Sequence, residues 1–131
     1  MAYKLPFSKV TLLDLAYTEI DNDEVIKVIA KALVFSKLEV LDLSYTSLGD
    51  EGVQALVDAL STSKLWKLNL AGNEFGNHGA FAIVNAVAKS ELRELDLSDN
   101  DNVDTEIRGT LVNKMASYGF TEDGEFVYRK T

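Results

Sequence analysis

The stretch Leu38-Glu-Val-Leu-Asp-Leu43 decides the fold, because it is one of four copies. The same apolar spacing returns at Val10-Thr-Leu-Leu-Asp-Leu15, Leu65-Trp-Lys-Leu-Asn-Leu70 and Leu92-Arg-Glu-Leu-Asp-Leu97, with starts 28, 27 and 27 residues apart. A unit this short cannot bury its own apolar side, so it must stack on a copy of itself. Such a stack presents a curved surface suited to holding something.

Beyond each copy the apolar spacing changes from a leucine run of period two to a helical stripe, which marks a strand followed by a helix. In the second unit a strand is expected near Val40 to Ser44. Its helix is expected from about Asp50 to Leu60, with Val53, Leu56, Val57 and Leu60 on one face. The matching stripes are Val25, Ile26, Ile29, Ala30 and Leu33 in the first unit, Ala80, Phe81, Val84 and Val87 in the third, and Ile107, Leu111, Val112 and Met115 in the fourth. Acidic or amide residues stand where the helices begin, at Asp21 to Glu24, Asp50 and Glu51, Asn77, and Asp104 to Glu106. There they can accept bonds from unpaired backbone N–H groups and suit the positive end of the helix dipole. Between strand and helix a further column reads Thr18, Thr46, Asn73 and Asn100. A side chain that donates and accepts can join the buried turns of adjacent units, and threonine does so with one donor against two. The ladder is therefore expected to be looser in the first two units.

The pattern Leu-x-x-Leu-Asp-Leu-Ser/Ala-x-Asn/Thr-x-Leu, with Gly49-Asp-Glu-Gly52 and an amphipathic helix after it, resembles the leucine-rich repeat. The period with a true helix resembles the ribonuclease-inhibitor subclass, which includes tropomodulin C-terminal domains, the Ran GTPase-activating protein and innate-immune sensor repeats. The resemblance implies an α/β solenoid, a short right-handed β-α arc with a parallel sheet on its concave face and helices on its convex face. It also implies protein binding on the concave face or its rim. Four units make a shallow arc where the inhibitor forms a deep horseshoe. The cysteine frequent at the helix start of that subclass is missing. Tyr118-Gly-Phe-Thr121 is faintly similar to the segment after the last tropomodulin repeat.

The boundaries expected are an N-terminal cap or edge segment over residues 1–9, four repeats over 10–116 (10–37, 38–64, 65–91 and 92–116) and a C-terminal cap over 117–131. A cap is needed because a stack leaves an apolar cross-section bare at each end. At the C-terminus Tyr118, Phe120, Phe126 and Tyr128 supply bulk around the turn signal Asp123-Gly124, and Glu125 to Arg129 reads as a fifth strand with Phe126 and Tyr128 inward. At the N-terminus Tyr3, Leu5 and Phe7 alternate with Lys4, Pro6 and Ser8 as one strand-like strip. The chain is expected to be a monomer, or a weak homodimer through these end edges.

The 131 residues suffice for one domain, without a cysteine anywhere. Disulfides, thiolate metal sites and cysteine nucleophiles are thereby excluded. No signal-peptide run opens the sequence and no apolar stretch approaches the ~20 residues of a membrane span, so a cytoplasmic, intracellular setting without membrane contact is expected. A net charge of −8 argues against a nucleic-acid partner and favours a protein with a basic patch.

Alternation within the strands assigns the residues that face a partner. They are Leu12, Asp14 and Ala16; Val40, Asp42 and Ser44; Lys67, Asn69 and Ala71; and Glu94, Asp96 and Ser98. The middle column Asp14, Asp42, Asn69, Asp96 is a line of carboxylates interrupted by one amide. With strands ~4.8 Å apart these charges repel and would welcome a cation. Past the strands Tyr17 and Tyr45 occupy equivalent positions, followed in their column by Gly72 and Asp99, while Glu19, Ser47, Glu74 and Asp101 extend an acidic rim. Trp66 is the only tryptophan. Exposed tyrosine and tryptophan dominate interface hot spots, so the contact residues expected are Asp14, Tyr17, Asp42, Tyr45, Trp66, Lys67, Asn69, Glu94 and Asp96.

No reaction centre accompanies them. His78 is the only histidine, Gly72 to Gly76 lacks the Lys and Ser/Thr of a phosphate loop, and Ser98 to Asp104 fails the calcium-loop template at Val103. No catalytic residue, cofactor or metal is expected. The leading reading is a non-enzymatic adaptor or scaffold module. The alternatives are a regulator of a GTPase or of actin filaments, by the family resemblance, and a self-assembling structural unit.

Overall fold

The computed structural model describes residues 10–20 and 23–131. The four leucine runs become four parallel strands, β1 (Leu12–Asp14), β2 (Val40–Asp42), β3 (Lys67–Asn69) and β4 (Glu94–Asp96), with Leu13, Leu41, Leu68 and Leu95 in register. Helices α1 (Asp23–Phe35), α2 (Asp50–Leu60), α3 (Asn77–Val87) and α4 (Thr105–Ser117) follow in turn. Three-residue strands hold because their ladder continues into the turns. The N–H groups of Leu15, Leu43 and Leu70 donate to the carbonyls of Asp42, Asn69 and Asp96 at 2.9 Å, and those of Tyr17, Tyr45 and Gly72 donate to Ser44, Ala71 and Ser98 at 2.8–3.0 Å. Each unit thus satisfies the backbone of the one before it.

The core lies between sheet and helices. Leu41, Leu68 and Leu95, then Leu43, Leu70 and Leu97, form two columns of fully buried leucines, joined after each turn by Leu48, Phe75 and Val103. Burying one such leucine stabilises by roughly 1.5–3 kcal/mol, so the columns dominate the energetics. The first unit is looser, with Leu13 and Leu15 half-buried. The helical stripes differ from expectation at their margins. Val25 is 45 % exposed, and Phe81 is half-buried while Ile83 joins Ala80, Val84 and Val87 in the core. Both displaced residues sit about 100° round the helix from a core neighbour, Ile26 or Ala80, and this carries them off the buried face. Ile107 and Val112 are also half-buried, because no helix follows α4 to cover them.

The acid at the helix starts caps across units. Asp50, at the start of α2, takes the N–H groups of Gly76 (3.0 Å) and Gly79 (2.9 Å) on its Oδ1, and so caps α3. A Cβ on Gly79 would come within 2.6 Å of that oxygen. Asn77 and Asp104 tie α3 to α4 through two bonds of 2.9 Å. Asp21 and Asn22 lie outside the described residues.

The Thr/Asn column behaves as the donor count requires. Asn73 Oδ1 accepts from the N–H groups of Thr46 (3.1 Å) and Leu48 (2.9 Å), and its Nδ2 donates to the carbonyls of Leu43 (2.9 Å) and Leu70 (3.0 Å). Asn100 repeats this one unit on, bonding Asn73 N–H and the carbonyls of Leu70 and Leu97. The hydroxyls of Thr18 and Thr46 both turn back to their own units, to Leu15 O and to Leu43 O (2.8 Å), and that of Thr46 also lies 3.1 Å from Asn73 Oδ1 of the next unit.

At the C-terminus the strand expected over Glu125 to Arg129 is present but begins two residues later, as β6 (Val127–Lys130), and the unexpected β5 (Phe120–Glu122) makes it one arm of a hairpin, in the order β1-β2-β3-β4-β6-β5. Strand β6 pairs antiparallel with β4. The shift has a local cause. Gly124 and Phe126 both take left-handed φ values, 94° and 69°, and Glu122 Oε1 holds the Phe126 N–H at 2.6 Å, so pairing begins only at Val127. Phe120, Phe126 and Tyr128 are buried, closing this end of the stack. The Tyr128 hydroxyl is buried without a hydrogen-bond partner among the described residues, and burial pushes its pKa up. The strip Tyr3 to Phe7 lies outside the described residues.

Replacing Asn73 with Ala leaves the Thr46 and Leu48 N–H groups without a partner, while the carbonyls of Leu43 and Leu70 keep the Thr46 hydroxyl and Asn100 Nδ2, and a loss of about 2–5 kcal/mol in chemical denaturation is expected. A loss below that of Thr46→Ala would contradict the ladder. Tyr128→Phe removes an unsatisfied hydroxyl and is expected to leave stability unchanged or raise it by up to ~1 kcal/mol, whereas a clear loss would mean that the hydroxyl has a partner in solution.

Candidate functional site

On the face of the sheet away from the helices, the register sets the side chains in rows. The first row is Leu12, Val40, Lys67, Glu94 and Arg129. Its apolar end is open, with Leu12 58 % exposed. Its charged end is internally matched, Lys67 Nζ lying 3.5 Å and Arg129 Nε 3.0 Å from the Glu94 carboxylate. Pairs this exposed stabilise by at most about 1 kcal/mol, but they occupy Lys67 and Glu94 with each other.

The second row is Asp14, Asp42, Asn69 and Asp96. Each uses Oδ1 to close the turn after its own strand, accepting the N–H of Ala16 (3.0 Å), Ser44 (2.9 Å), Ala71 (3.0 Å) or Ser98 (2.9 Å). Asp42 and Asp96 also take the hydroxyls of Ser44 and Ser98, both at 2.6 Å. This bond explains an acidic residue at strand ends without any ligand. Among the described residues the Oδ2 atoms of the three aspartates take no hydrogen bond, and they leave an anionic line across this face of the sheet.

The tyrosine column is the most constructed part of the surface. Tyr17, Tyr45, Gly72 and Asp99 share one turn position and one left-handed backbone state, with φ of 63°, 56°, 65° and 56°. An L-residue held there is disfavoured by roughly 1–2 kcal/mol and glycine is not, so Gly72 marks what the turn alone requires. The tyrosines are more than the fold needs. Their rings stack, centroids 4.8 Å apart and planes within 2°, which recovers about 0.5–1.5 kcal/mol. The Tyr45 ring then lies over Gly72, where a Cβ would sit 2.2 Å from Cε1, and its hydroxyl donates to the Asp99 carboxylate. Tyr17 caps the stack, 76 % exposed, and Tyr45 remains 39 % exposed. Beside Tyr45 a hollow of about 410 Å³ is bounded by Gly72, Asp99, Asp101 and Asn102.

The bond to Asp99, then partial desolvation and the negative charge of Asp99, push the Tyr45 pKa up from 10.0 to about 12. Because the folded value is the higher, this contribution to stability is whole below about pH 10 and is lost as pH rises toward about 12.

Trp66 is not part of this cluster. It lies one residue before β3, at the opposite strand ends, with its N–H bonded to Glu39 O at 2.9 Å. The structure therefore joins Tyr17 to Tyr45, pairs Lys67 with Glu94, aligns Asp14, Asp42, Asn69 and Asp96, and sets Trp66 apart. Gly72 and Asp99 as supports of the tyrosines, and Arg129 as partner of Glu94, were not read from the sequence. The signal for the first two was the repeat offset itself, which placed a residue without a side chain between an aromatic and a carboxylate. Among the described residues no group of three His, Asp or Glu could hold a metal ion, and no helix is long and apolar enough to cross a membrane.

Asp99→Asn tolerates the left-handed turn and keeps an acceptor without the charge. In a tyrosinate absorbance titration, read as the difference from Tyr45→Phe, the Tyr45 pKa is expected to fall from about 12 toward 10. An unchanged titration would show that Asp99 does not hold the hydroxyl.

A family profile described as "Leucine Rich repeat" matches residues 36–57, 63–84 and 90–111, together half of the chain. No curated protein sequence matches. Among solved structures, leiomodin-1 actin-binding site 2 superposes with a TM-score of 0.74 at 19 % identity, covering 82 % of this chain and 65 % of that one. The present chain thus spans less than two thirds of that leiomodin chain. The tropomodulin C-terminal domain of Caenorhabditis elegans gives 0.75 at 14 % identity, covering 86 % of this chain and 70 % of that one. These likenesses are of fold, and with the profile matching three successive units whose strands lie in parallel register, the chain belongs to the leucine-rich repeat family.

Proposed function

We propose that this chain is a non-enzymatic protein-interaction module that holds a partner segment along the groove of the sheet and against the Tyr17/Tyr45 rim. The observation that carries the reading is the tyrosine stack, fixed by Gly72 and Asp99 and set in a backbone state that the turn does not need tyrosine to fill. Aromatic side chains already held in place lose little entropy on binding and so contribute strongly to an interface. The anionic line of Asp14, Asp42 and Asp96, with Asp99 and Asp101 beside the hollow, suits a partner bearing lysine or arginine. A guanidinium entering beside Tyr45 would meet both a ring and carboxylates.

A second reading, regulation of actin filaments, is favoured by the superposition on leiomodin-1 actin-binding site 2. Co-sedimentation with actin filaments separates it from the first. Filament binding that survives Tyr17→Ala/Tyr45→Ala would favour actin at another surface.

For the leading reading the test is selection of displayed peptides followed by calorimetry. Selected peptides are expected to be rich in Lys and Arg, and Tyr17→Ala/Tyr45→Ala is expected to weaken them about tenfold or more with the fold intact by circular dichroism. Equal affinity in the double variant would overturn the proposal.

A further inference from the structure

Charge in this chain is sorted by strand direction. The connections leaving the strands toward the helices contain no Lys or Arg and carry Glu19, Glu74, Asp99, Asp101 and Asp104. The connections returning from helix to strand hold Lys37, Lys64, Lys89 and Arg93 against two acids, Glu39 and Glu91. Because β6 runs antiparallel to β4, it delivers Lys130 to that same edge, the Lys130 N–H bonding Arg93 O at 2.8 Å. The backbone ladder there sets Glu39, Trp66, Arg93 and Lys130 side by side.

With Lys64 and Ser90 these residues border a hollow of about 470 Å³, in which the protein's one tryptophan is 39 % exposed. Elsewhere on the sheet, Lys67 and Arg129 are engaged by Glu94. Here Lys64 and Arg93 have no ion pair among the described residues, although Glu39 and Glu91 border the same hollow, and Lys130 Nζ rests 5.6 Å from the Phe120 ring centroid. The arrangement joins two cations without an ion pair among the described residues, and a third resting on a ring, to a large aromatic surface that is cheap to order.

We propose that this edge is a second docking surface, taking an acidic segment of a partner protein whose carboxylates meet Lys64, Arg93 and Lys130 and whose apolar side chain packs on Trp66. It lies at the opposite strand ends from the tyrosine rim and does not depend on it. A peptide fits better than a nucleic acid, since a chain of net charge −8 repels a polyphosphate while a short acidic segment samples only the local field.

The single tryptophan makes the site report on itself. The full chain is titrated with a short synthetic peptide of Glu, Asp and Leu, with its Gln/Asn/Leu analogue, and with an oligothymidylate, while Trp66 emission is followed. A saturable shift is expected with the acidic peptide alone, weakening as salt is raised. Arg93→Glu/Lys130→Glu should reduce the affinity about tenfold or more, Glu39→Gln/Glu91→Gln should tighten it, and Tyr17→Ala/Tyr45→Ala should leave it unchanged. If the charge reversal unfolds the chain, Arg93→Gln/Lys130→Gln is read by the same criterion. The proposal is overturned by the absence of a saturable shift, by an equal response to the amide analogue or the oligonucleotide, or by affinity retained in the charge variants. An emission change that depends on protein concentration without peptide would also overturn it, by assigning the edge to a second copy of the chain.

Discussion

Each unit of this chain is held by its neighbour, and everything else in the structure follows from that dependence. A strand of three residues and a helix of eleven to thirteen cannot fold alone at these lengths. They persist because leucines of successive units stack in two buried columns, and because the turn of one unit supplies the acceptors for the backbone of the one before. Asn73 and Asn100 make this dependence polar as well as apolar. Each reaches carbonyls on two units, so a turn cannot open without exposing partners in the next.

The same lattice turns a local choice of residue into a surface feature. Any position of the repeat recurs every 27 or 28 residues as one row across the sheet, and rows set neighbours in contact. Hence a tyrosine in the second unit can stack on a tyrosine in the first, lean over a glycine in the third and be held by a carboxylate in the fourth. Hence too the charges separate, acid alone at one set of strand ends and base in excess over Glu39 and Glu91 at the other. The chain's net charge describes neither edge.

Much of this was legible in the residues because period and alternation are properties of sequence. The leucine runs located all four parallel strands, and the Thr-Thr-Asn-Asn column foretold a ladder that tightens from Thr18 toward Asn100. What the residues did not yield was contact between units and local backbone state. Asp50 stands at its own helix start as expected, but its oxygen takes the N–H groups of the next helix rather than those of its own. The aspartate row was read as charge awaiting a partner, and one oxygen of each is already committed to its turn. The hairpin at the C-terminus was missed because the left-handed state of Phe126, a residue that seldom adopts it, is fixed by Glu122 from the other strand.

Amide hydrogen exchange tests the dependence between units most directly. The N–H groups of Leu43 and Leu70, bonded to the following unit, and of Leu97, bonded to the C-terminal hairpin, are expected to exchange at one slow rate set by global unfolding, with Leu15 in the half-buried first unit exchanging faster. Separate rates for Leu43, Leu70 and Leu97, each matched by the helix of its own unit, would contradict the account, because they would show that the units open one at a time.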